Sequence, residues 1–300
     1  MNIRPKREEE LSELLALWNK THRGFYEFIP CTEERLREEF ADAELVLVAA
    51  QGDVLRGFGL LRREWYGEEV ELCVPPGPER EEVEGWLLSA LEPHTKTGEV
   101  CVVLDADDTR SLAFFCQRGY RATGSLFQMV VDLSSIPSPP RPPSGYVLRR
   151  LMHDEEAEFV RLVNTAYQGE RVQAGVLARW ASEDPAFGPD WVQVAEYDGE
   201  LVAAVVARSD HDFNQYYHAK RGYLGPAATL LAHKGKGLAK ALTVKALEHL
   251  RKQGMESAHL YTWSGNAAAL KAVRALDFRV AHEWRILTKS AREGRGFSAG

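Results

Sequence analysis

The 300-residue chain has few cysteines and lacks the patterns of export, metal binding and membrane spanning. Its four cysteines, Cys31, Cys73, Cys101 and Cys116, lie in the first half without metal-ligand spacing, so we expect reduced thiols and no metal. No apolar run is long enough to cross a bilayer, and the N-terminus has no apolar signal core. We therefore expect a cytoplasmic protein with no membrane partner.

An excess of basic residues is also missing. The chain has 37 Lys and Arg against 44 Asp and Glu, which gives a net charge of −7. Nucleic-acid binding usually needs a broad basic face, so we expect no nucleic-acid partner. With 45% hydrophobic and 27% charged residues, the composition is that of a globular protein long enough for two domains.

A proline-rich segment divides the chain nearly in half. Residues 134–145 contain five prolines and can form neither a helix nor a central strand. We expect an extended linker there. The predicted domains are residues 1–133 and residues 146–300.

The two halves are related in sequence. Ile3-Arg4 matches Leu148-Arg149, and Leu17-Trp18-Asn19 matches Leu162-Val163-Asn164, both with an offset of 145 residues (148 − 3 and 162 − 17). Hydrophobic patterns predict the same order of elements twice, namely helix, β-hairpin, long helix, strand and short helix. The predicted hairpins, long helices and last strands cover residues 45–61, 81–91 and 100–104 in the first half and 191–207, 238–253 and 258–263 in the second.

A glycine-containing turn precedes the long helix of the second half. Lys234-Gly235-Lys236-Gly237 follows the strand-like residues 227–231 and leads into Leu238-Ala239-Lys240. Glycines let a backbone approach a ligand closely, and a helix N-terminus favours an anion, so the pattern predicts a phosphate site. The spacing fits neither a Walker A loop nor G-x-G-x-x-G. A plain helix start with solvated lysines is the alternative.

The motif resembles the acetyl-CoA motif of the GNAT N-acetyltransferases, Gln/Arg-x-x-Gly-x-Gly/Ala, here Lys234-x-x-Gly237-x-Ala239. Asn266, eleven residues before Asp277-Phe278, also matches, although the family usually has Gly-Phe there. The duplicated order of elements is similar to the two-lobe GNATs of the mycothiol synthase type. The resemblance implies an α/β (α+β) fold of two tandem lobes, each with a mixed, mostly antiparallel sheet flanked by helices.

The resemblance also implies that acetyl-CoA is the acyl donor. Its phosphates would bind at Lys234, Gly235, Lys236, Gly237, Leu238 and Ala239, and its pantetheine arm at Ala227, Thr229, Leu230, Leu231 and Asn266. Asn266 is at the same time a good N-cap for the last helix. In the first half, residues 79–84 align with this loop, and Arg80 and Glu82 replace both glycines. We expect a first lobe without acetyl-CoA, serving as a wall of the acceptor site or as a structural relic.

The proton-transfer groups are harder to assign. Many GNATs have a tyrosine seven residues after the asparagine, but here that residue is Val273. Tyr223 is the best candidate for a catalytic, proton-handling group, and the alternative is a half-buried aromatic of the strand without such a role. Glu196, His218 and Tyr261 are weaker candidates, and His218 is expected to lie in a loop over residues 214–218.

We therefore predict transfer of an acetyl group from acetyl-CoA to the amine of a small molecule, by direct attack in the second lobe. Residues 165–185 are expected to shape the acceptor site. The alternative is a non-catalytic protein that binds or senses acyl-CoA. It is suggested by Val273, which stands where many GNATs have the tyrosine.

Overall fold

The structure is a computed structural model that describes residues 1–64 and 67–290. The chain forms two compact units. The first contains Met1–Leu126 together with the described residues that follow His282, and the second contains Phe127–His282.

The first unit begins with a strand and two helices and continues as a sheet covered by further helices. Its strands and helices are β1 (Asn2–Pro5), α1 (Leu11–His22), α2 (Glu33–Asp42), β2 (Ala43–Gln51), β3 (Val54–Glu64), β4 (Gly67–Cys73), α3 (Arg80–Leu91), β5 (Glu99–Asp105), α4 (Thr109–Gln117) and the start of β6 (Arg121–Asp132).

The second unit repeats this order. After the end of β6 come β7 (Tyr146–Arg150), α5 (Glu156–Tyr167), α6 (Val176–Glu183), β8 (Val192–Tyr197), β9 (Glu200–Ser209), α7 (His211–Tyr217), β10 (Arg221–Thr229), α8 (Leu238–Lys252), β11 (Ser257–Trp263), α9 (Ala267–Arg274) and the start of β12 (Arg279–Ser290).

Each unit has a mixed, mostly antiparallel sheet, which confirms the predicted fold class. In the first unit β1, β2, β3 and β4 pair antiparallel in that order, and β4 pairs parallel with β5. In the second unit β7 to β10 pair antiparallel in order, and β10 pairs parallel with β11. The internal repeat seen in the sequence is therefore also a repeat of strand pairing.

The two units do not divide the chain simply at the linker, because the ends of two strands belong to the other unit. Phe127–Asp132, at the end of β6, belongs to the second unit, where this strand lies beside β11. Residues 284–290 of β12 pair antiparallel with β5 in the first unit, from Trp284 opposite Asp105 to Ser290 opposite Glu99. The strand that pairs with β5 in the first sheet, β12, therefore comes from the far end of the sequence.

Local sequence explains most element boundaries. The turn between β8 and β9 is Asp198-Gly199, and both residues have positive φ, 50° and 82°, as a two-residue type I′ hairpin requires. Helix α8 begins after Gly237 and ends before Gly254, with φ of 77° and 85°. A glycine adopts this left-handed conformation without the steric cost that a Cβ atom adds.

Helix α8 anchors the core of the second unit, as its amphipathic pattern predicts. Leu238, Ala241, Leu242 and Leu250 are buried, and the three leucines pack in one cluster with residues of β8 and β9. Burying a leucine side chain contributes about 2 kcal/mol. This packing fixes the helix, and with it the position of its first turn.

Two details of the predicted second half were wrong. The strand-like segment 227–231 is not all strand, because β10 ends at Thr229 and Leu231–His233 forms a short 3-10 helix. His218 does not lie in an irregular loop, since residues 211–217 form α7 and His218 is its C-cap with φ of 53°.

Within residues 1–64 and 67–290, no helix is both long and apolar enough to span a membrane. The same residues contain no group of three or more His, Cys, Asp or Glu that could hold a metal ion. All four cysteines are free thiols.

Candidate active site in the second unit

A gap opens between the parallel strands β10 and β11. Their pairing runs from Arg221 opposite Ser257 to Tyr223 opposite His259, while β10 itself continues to Thr229. The register of β10 against β9 shifts between Leu224 and Ala227, so Gly225-Pro226 lies in a β-bulge. A bulge bends its strand, and the two strands separate from this point on.

The far half of β10 presents backbone groups to this gap. Leu230 N donates to Val202 O at 2.9 Å, so the amide of Leu230 points toward β9. Ala228 lies two residues earlier, opposite Ala204, and its backbone groups point the same way. Because these directions alternate along an antiparallel strand, the amides and carbonyls of Ala227 and Thr229 face the gap. The hydroxyl of Tyr167 donates to Ala227 O at 3.2 Å.

Four of the five predicted pantetheine residues lie at or just after the end of β10, and they differ in the backbone groups that they offer to a ligand. Ala227 and Thr229 face the gap, whereas Leu230 uses its amide on β9 and its carbonyl accepts from His233 N at 2.9 Å. Leu231 accepts from Lys234 N at 3.2 Å, and its side chain is 79% exposed.

The glycine loop forms an exposed N-terminal turn on α8. Gly235 and Gly237 have φ of 78° and 77°, and a Cβ atom added to either would meet nothing within 4 Å. The space beside the loop is therefore open, and its glycines are needed for backbone conformation. The amides of Leu238, Ala239 and Lys240 have no acceptor within the helix by geometry, so the loop can bind an anion.

The lysines of this loop are not equivalent. Lys236 Nζ donates to Tyr146 OH at 2.6 Å, and the same hydroxyl lies 2.8 Å from His233 Nδ1. Lys236 is thus held against β7, whereas Lys234 is exposed and Lys240 half-buried in the first turn.

The start of α9 has the expected polar group. Asn266 Oδ1 accepts from Ala269 N at 3.1 Å and caps the helix, which leaves the amide NH₂ for a ligand. Val273 is buried at 8% exposure. Asp277 has φ of 63°, and the matching Gly119 of the first unit has φ of 89°, so Asp277 adopts the backbone conformation for which the family uses glycine.

Tyr223 lies where β10 and β11 part. Burial raises the pKa of its phenol, and the charges of Arg208 and Arg171 partly oppose this. The Arg208 guanidinium lies 5.1 Å from the Tyr223 ring centre and 4.9 Å from that of Trp180. A phenol with a raised pKa is protonated at neutral pH, so Tyr223 can donate a proton but is a poor base.

A buried polar cluster beside Tyr223 was missed by the sequence reasoning. His259 Nε2 lies 2.9 Å from Asp210 Oδ2, and Arg221 Nη2 lies 2.7 Å from the same oxygen. Burial would raise the pKa of Asp210, but His259 and Arg221 outweigh it and lower the pKa. Gln128 Nε2 lies 3.2 Å from His259 Nδ1 and donates to Tyr261 OH at 3.4 Å. The alternation of His259 and Tyr261 along β11 is the one sequence signal for this cluster.

The weaker candidates fall in different places. Tyr261 is 45% exposed, and its ring centre lies 6.3 Å from that of Tyr223. Glu196 lies on β8 and accepts from Arg149 Nε at 2.8 Å, so it serves an ion pair near the sheet edge. His218 is exposed at the end of α7.

In the first unit, the turn that precedes α3 corresponds to the glycine loop before α8 but has a different conformation. Helix α3 begins after Glu79, which has φ of −91°, and its first turn contains Glu81 and Glu82. Asp108 caps α4 as Asn266 caps α9, by accepting from Ser111 N at 2.9 Å. The capping residue is therefore retained, but the glycine turn that could hold a diphosphate is not.

Comparison with known proteins places these features in a family. The acetyltransferase (GNAT) family model matches residues 148–278. The mycothiol acetyltransferase of Actinosynnema mirum is 27% identical over 299 residues, covering 91% of this chain and 93% of the relative. That of Thermomonospora curvata is 26% identical over 283 residues, covering 90% and 91%.

A solved structure supports the two-lobe fold. A tandem GNAT protein from the clavulanic acid biosynthesis pathway superposes with a TM-score of 0.66 at 16% identity, covering 97% of this chain and 98% of that one. The similarities do not favour the alternative of a non-catalytic acyl-CoA-binding protein. Residues 148–278 match the GNAT acetyltransferase family, and the chain is similar over nearly its whole length to two-lobe proteins of this family, which supports transfer of an acetyl group from acetyl-CoA to an amine.

Proposed function

We propose that the second unit binds acetyl-CoA between β10 and β11 and acetylates the amine of a small molecule. The observation that carries this proposal is the gap beyond Tyr223, together with the glycine N-cap of α8. The curated relatives are named for mycothiol, which supports a small-molecule acceptor.

The residues present fit the donor. The first-turn amides after Gly237, with Lys234 and Lys240 nearby, would hold the diphosphate at a helix N-terminus. The gap-facing groups of Ala227 and Thr229 would pair with the pantetheine amides, as would the Asn266 NH₂. One amide of this strand would stabilise the negative charge that develops on the thioester oxygen.

In the reaction, the amine nitrogen attacks the thioester carbon, and the C–S bond then breaks. The amine loses one proton and the departing thiolate gains one. Tyr223, protonated because burial raises its pKa, would donate to the thiolate, a role that Val273 cannot fill. General acid catalysis of this kind contributes about 10²-fold or more.

The charges near Tyr223 would also help the acceptor. Arg208 and Arg171 act on the phenol as positive charges. A nearby positive charge disfavours the ammonium form of an amine, so a bound acceptor would lose its proton more readily. The free amine is the form that attacks.

Turnover on a panel of small-molecule amines, followed by release of the CoA thiol, tests the proposal. A lysine-containing peptide serves as the macromolecular comparison, and Gly237→Glu as the donor-site control. Acetylation of a small amine that Gly237→Glu abolishes is expected. Tight acetyl-CoA binding without turnover on any amine would contradict catalysis.

Calorimetric stoichiometry tests which unit binds the donor. We expect one acetyl-CoA per chain, because the first unit has lost the glycine turn. Two sites would contradict the assignment of the first unit, and none would contradict the site on α8.

A further inference from the structure

The first unit contains a cavity of about 390 Å³ that acetyl transfer does not use. It lies where β4 and β5 part, beyond Glu69 opposite Cys101, and beside the C-terminal end of α1. It therefore corresponds in the repeat to the donor gap of the second unit. Its volume is in the range that holds a small ligand.

Aromatic rings form much of the cavity wall. Tyr26 and Trp284 meet edge to face with ring centres 6.0 Å apart, and Trp18 stacks on His22 at 4.5 Å. The aromatic lining residues are Trp18, Phe25, Tyr26, Phe28, Phe115 and Trp284. Aromatic faces carry partial negative charge and attract cations.

The charged lining is predominantly acidic. Five carboxylates line the cavity against two guanidiniums, namely Glu69, Glu71, Glu84, Asp105 and Asp108 against Arg62 and Arg80. Even with a protonated imidazole at His22, the carboxylates remain in excess. The wall therefore has a net negative charge that its own basic residues do not balance.

Three carboxylates of this region surround the guanidinium of Arg62. This guanidinium contacts Glu71 and lies 2.9 Å from Glu39 and 3.4 Å from Glu69. Burial would lower the pKa of His22, but Glu71 outweighs burial and raises it. Both basic groups are thus committed to carboxylates and do not create a site for an anion.

A buried hydroxyl in the same wall is left without a good partner. Thr21 lines the cavity with 5% exposure. Its Oγ1 makes no hydrogen bond of normal geometry within the described residues, and it lies beside the thiol of Cys73, a weak partner.

These features exclude a CoA-like occupant. The first turn of α3, which corresponds to the predicted diphosphate site of the second unit, contains Glu81 and Glu82. The turn before α3 also lacks the two glycines. A diphosphate would meet carboxylates here, and like charges repel.

We infer that this cavity binds a small organic cation, with its ammonium group against the aromatic rings and its charge balanced by the acidic wall. The site is separate from the acetyl-transfer site and does not depend on the proposed function. Cation–π contacts recognise quaternary ammonium groups in this way.

Calorimetric titration of the full chain with choline, at saturating acetyl-CoA, tests the inference. Choline has no amine proton or nitrogen lone pair, so it cannot act as an N-acetyl acceptor. Its neutral isostere 3,3-dimethylbutan-1-ol is the matched ligand control. We expect one choline per chain and no measurable binding of the isostere.

Two variants locate the site. Trp284→Leu removes one ring and should weaken choline binding about 5- to 30-fold, as expected for a partly desolvated cation–π contact. Trp86→Leu is the matched control, because Trp86 lies on α3 outside the cavity lining and is 38% exposed. Asp105→Asn removes one charge, and its weaker effect should shrink further at high salt.

Three results would overturn the inference. The first is equal binding of choline and its isostere. The second is no choline binding up to 10 mM, a concentration that corresponds to a binding free energy of about −2.7 kcal/mol. The third is the same choline affinity in Trp284→Leu and Trp86→Leu. Since acetyl-CoA binding is measured separately in the same samples, failure of the cation site is distinguishable from failure of the donor site.

Discussion

Gly237→Glu should abolish acetyl-CoA binding without unfolding the protein. Gly237 is the N-cap of α8 with φ of 77°, and a Cβ atom there would enter open space. A glutamate would therefore place a carboxylate beside the amides that we assign to the diphosphate.

The expected loss follows from two costs. A non-glycine residue in the left-handed conformation costs about 1–2 kcal/mol of stability. At 4 Å, one pair of like charges costs about 1 kcal/mol in bulk water and about 4 kcal/mol near a protein surface. Repulsion of two phosphate charges is then at least about 2 kcal/mol, which raises Kd at least about 30-fold.

The chain offers a matched control at the other end of the same helix. Gly254 has φ of 85° and also faces open space, so Gly254→Glu has the same backbone strain and the same new charge. Gly237→Lys keeps the strain but reverses the charge. We expect similar Tm losses in all three variants and a large loss of affinity in Gly237→Glu.

Isothermal titration with acetyl-CoA and differential scanning calorimetry measure both quantities. The reasoning is refuted if Gly237→Glu binds acetyl-CoA within threefold of Gly254→Glu. If Gly237→Lys loses as much affinity as Gly237→Glu, charge is not the cause, and the strained backbone itself must be essential.

Four further changes probe the site and its frame. Tyr223→Phe should lower kcat about 10²-fold with unchanged acetyl-CoA affinity; an unchanged kcat would exclude the phenol from proton transfer. Arg208→Gln should move the acidic limb of the kcat profile to higher pH, because the ammonium form of the bound acceptor would no longer be disfavoured; an unmoved limb would place the acceptor elsewhere. Asn266→Ala removes a cap that accepts from Ala269 N, so Tm should fall by the equivalent of about 1 kcal/mol, with weaker acetyl-CoA binding; a Tm loss alone would leave Asn266 a cap. Asp277→Gly should stabilise the fold by up to about 1 kcal/mol, because φ is 63°, and a lower melting temperature would show that the carboxylate has a role of its own.

Patterns of short range predicted a large part of the fold. The hairpins, the two long helices and the cap at Asn266 depend on residues close in sequence, and the structure has them near the expected bounds. The same holds for the glycine turn at Gly237, since one left-handed residue before a run of helix formers is a local property. The predicted roles of the acetyl-CoA residues and of Tyr223 stay predictions.

Contacts between distant residues gave no comparable signal. Asp210 and His259 are 49 positions apart, yet they meet because β10 and β11 pair at Tyr223. Lys236 is predicted to bind phosphate from its position, and the structure adds that its ammonium group donates to Tyr146, 90 positions away. Charge and spacing in the sequence do not show which partner a flexible side chain finds.

The sequence by itself determined the duplicated order of elements, the glycine turn of the second half and its loss in the first, because each depends on local conformational preference. The tertiary structure decided which strand completes the sheet beside β5, the polar cluster around Asp210, and the acidic aromatic cavity of the first unit. The physical reason is that strand pairing and burial bring together residues that share no local sequence pattern. The charge environment around each of these residues is therefore set when the sheets form.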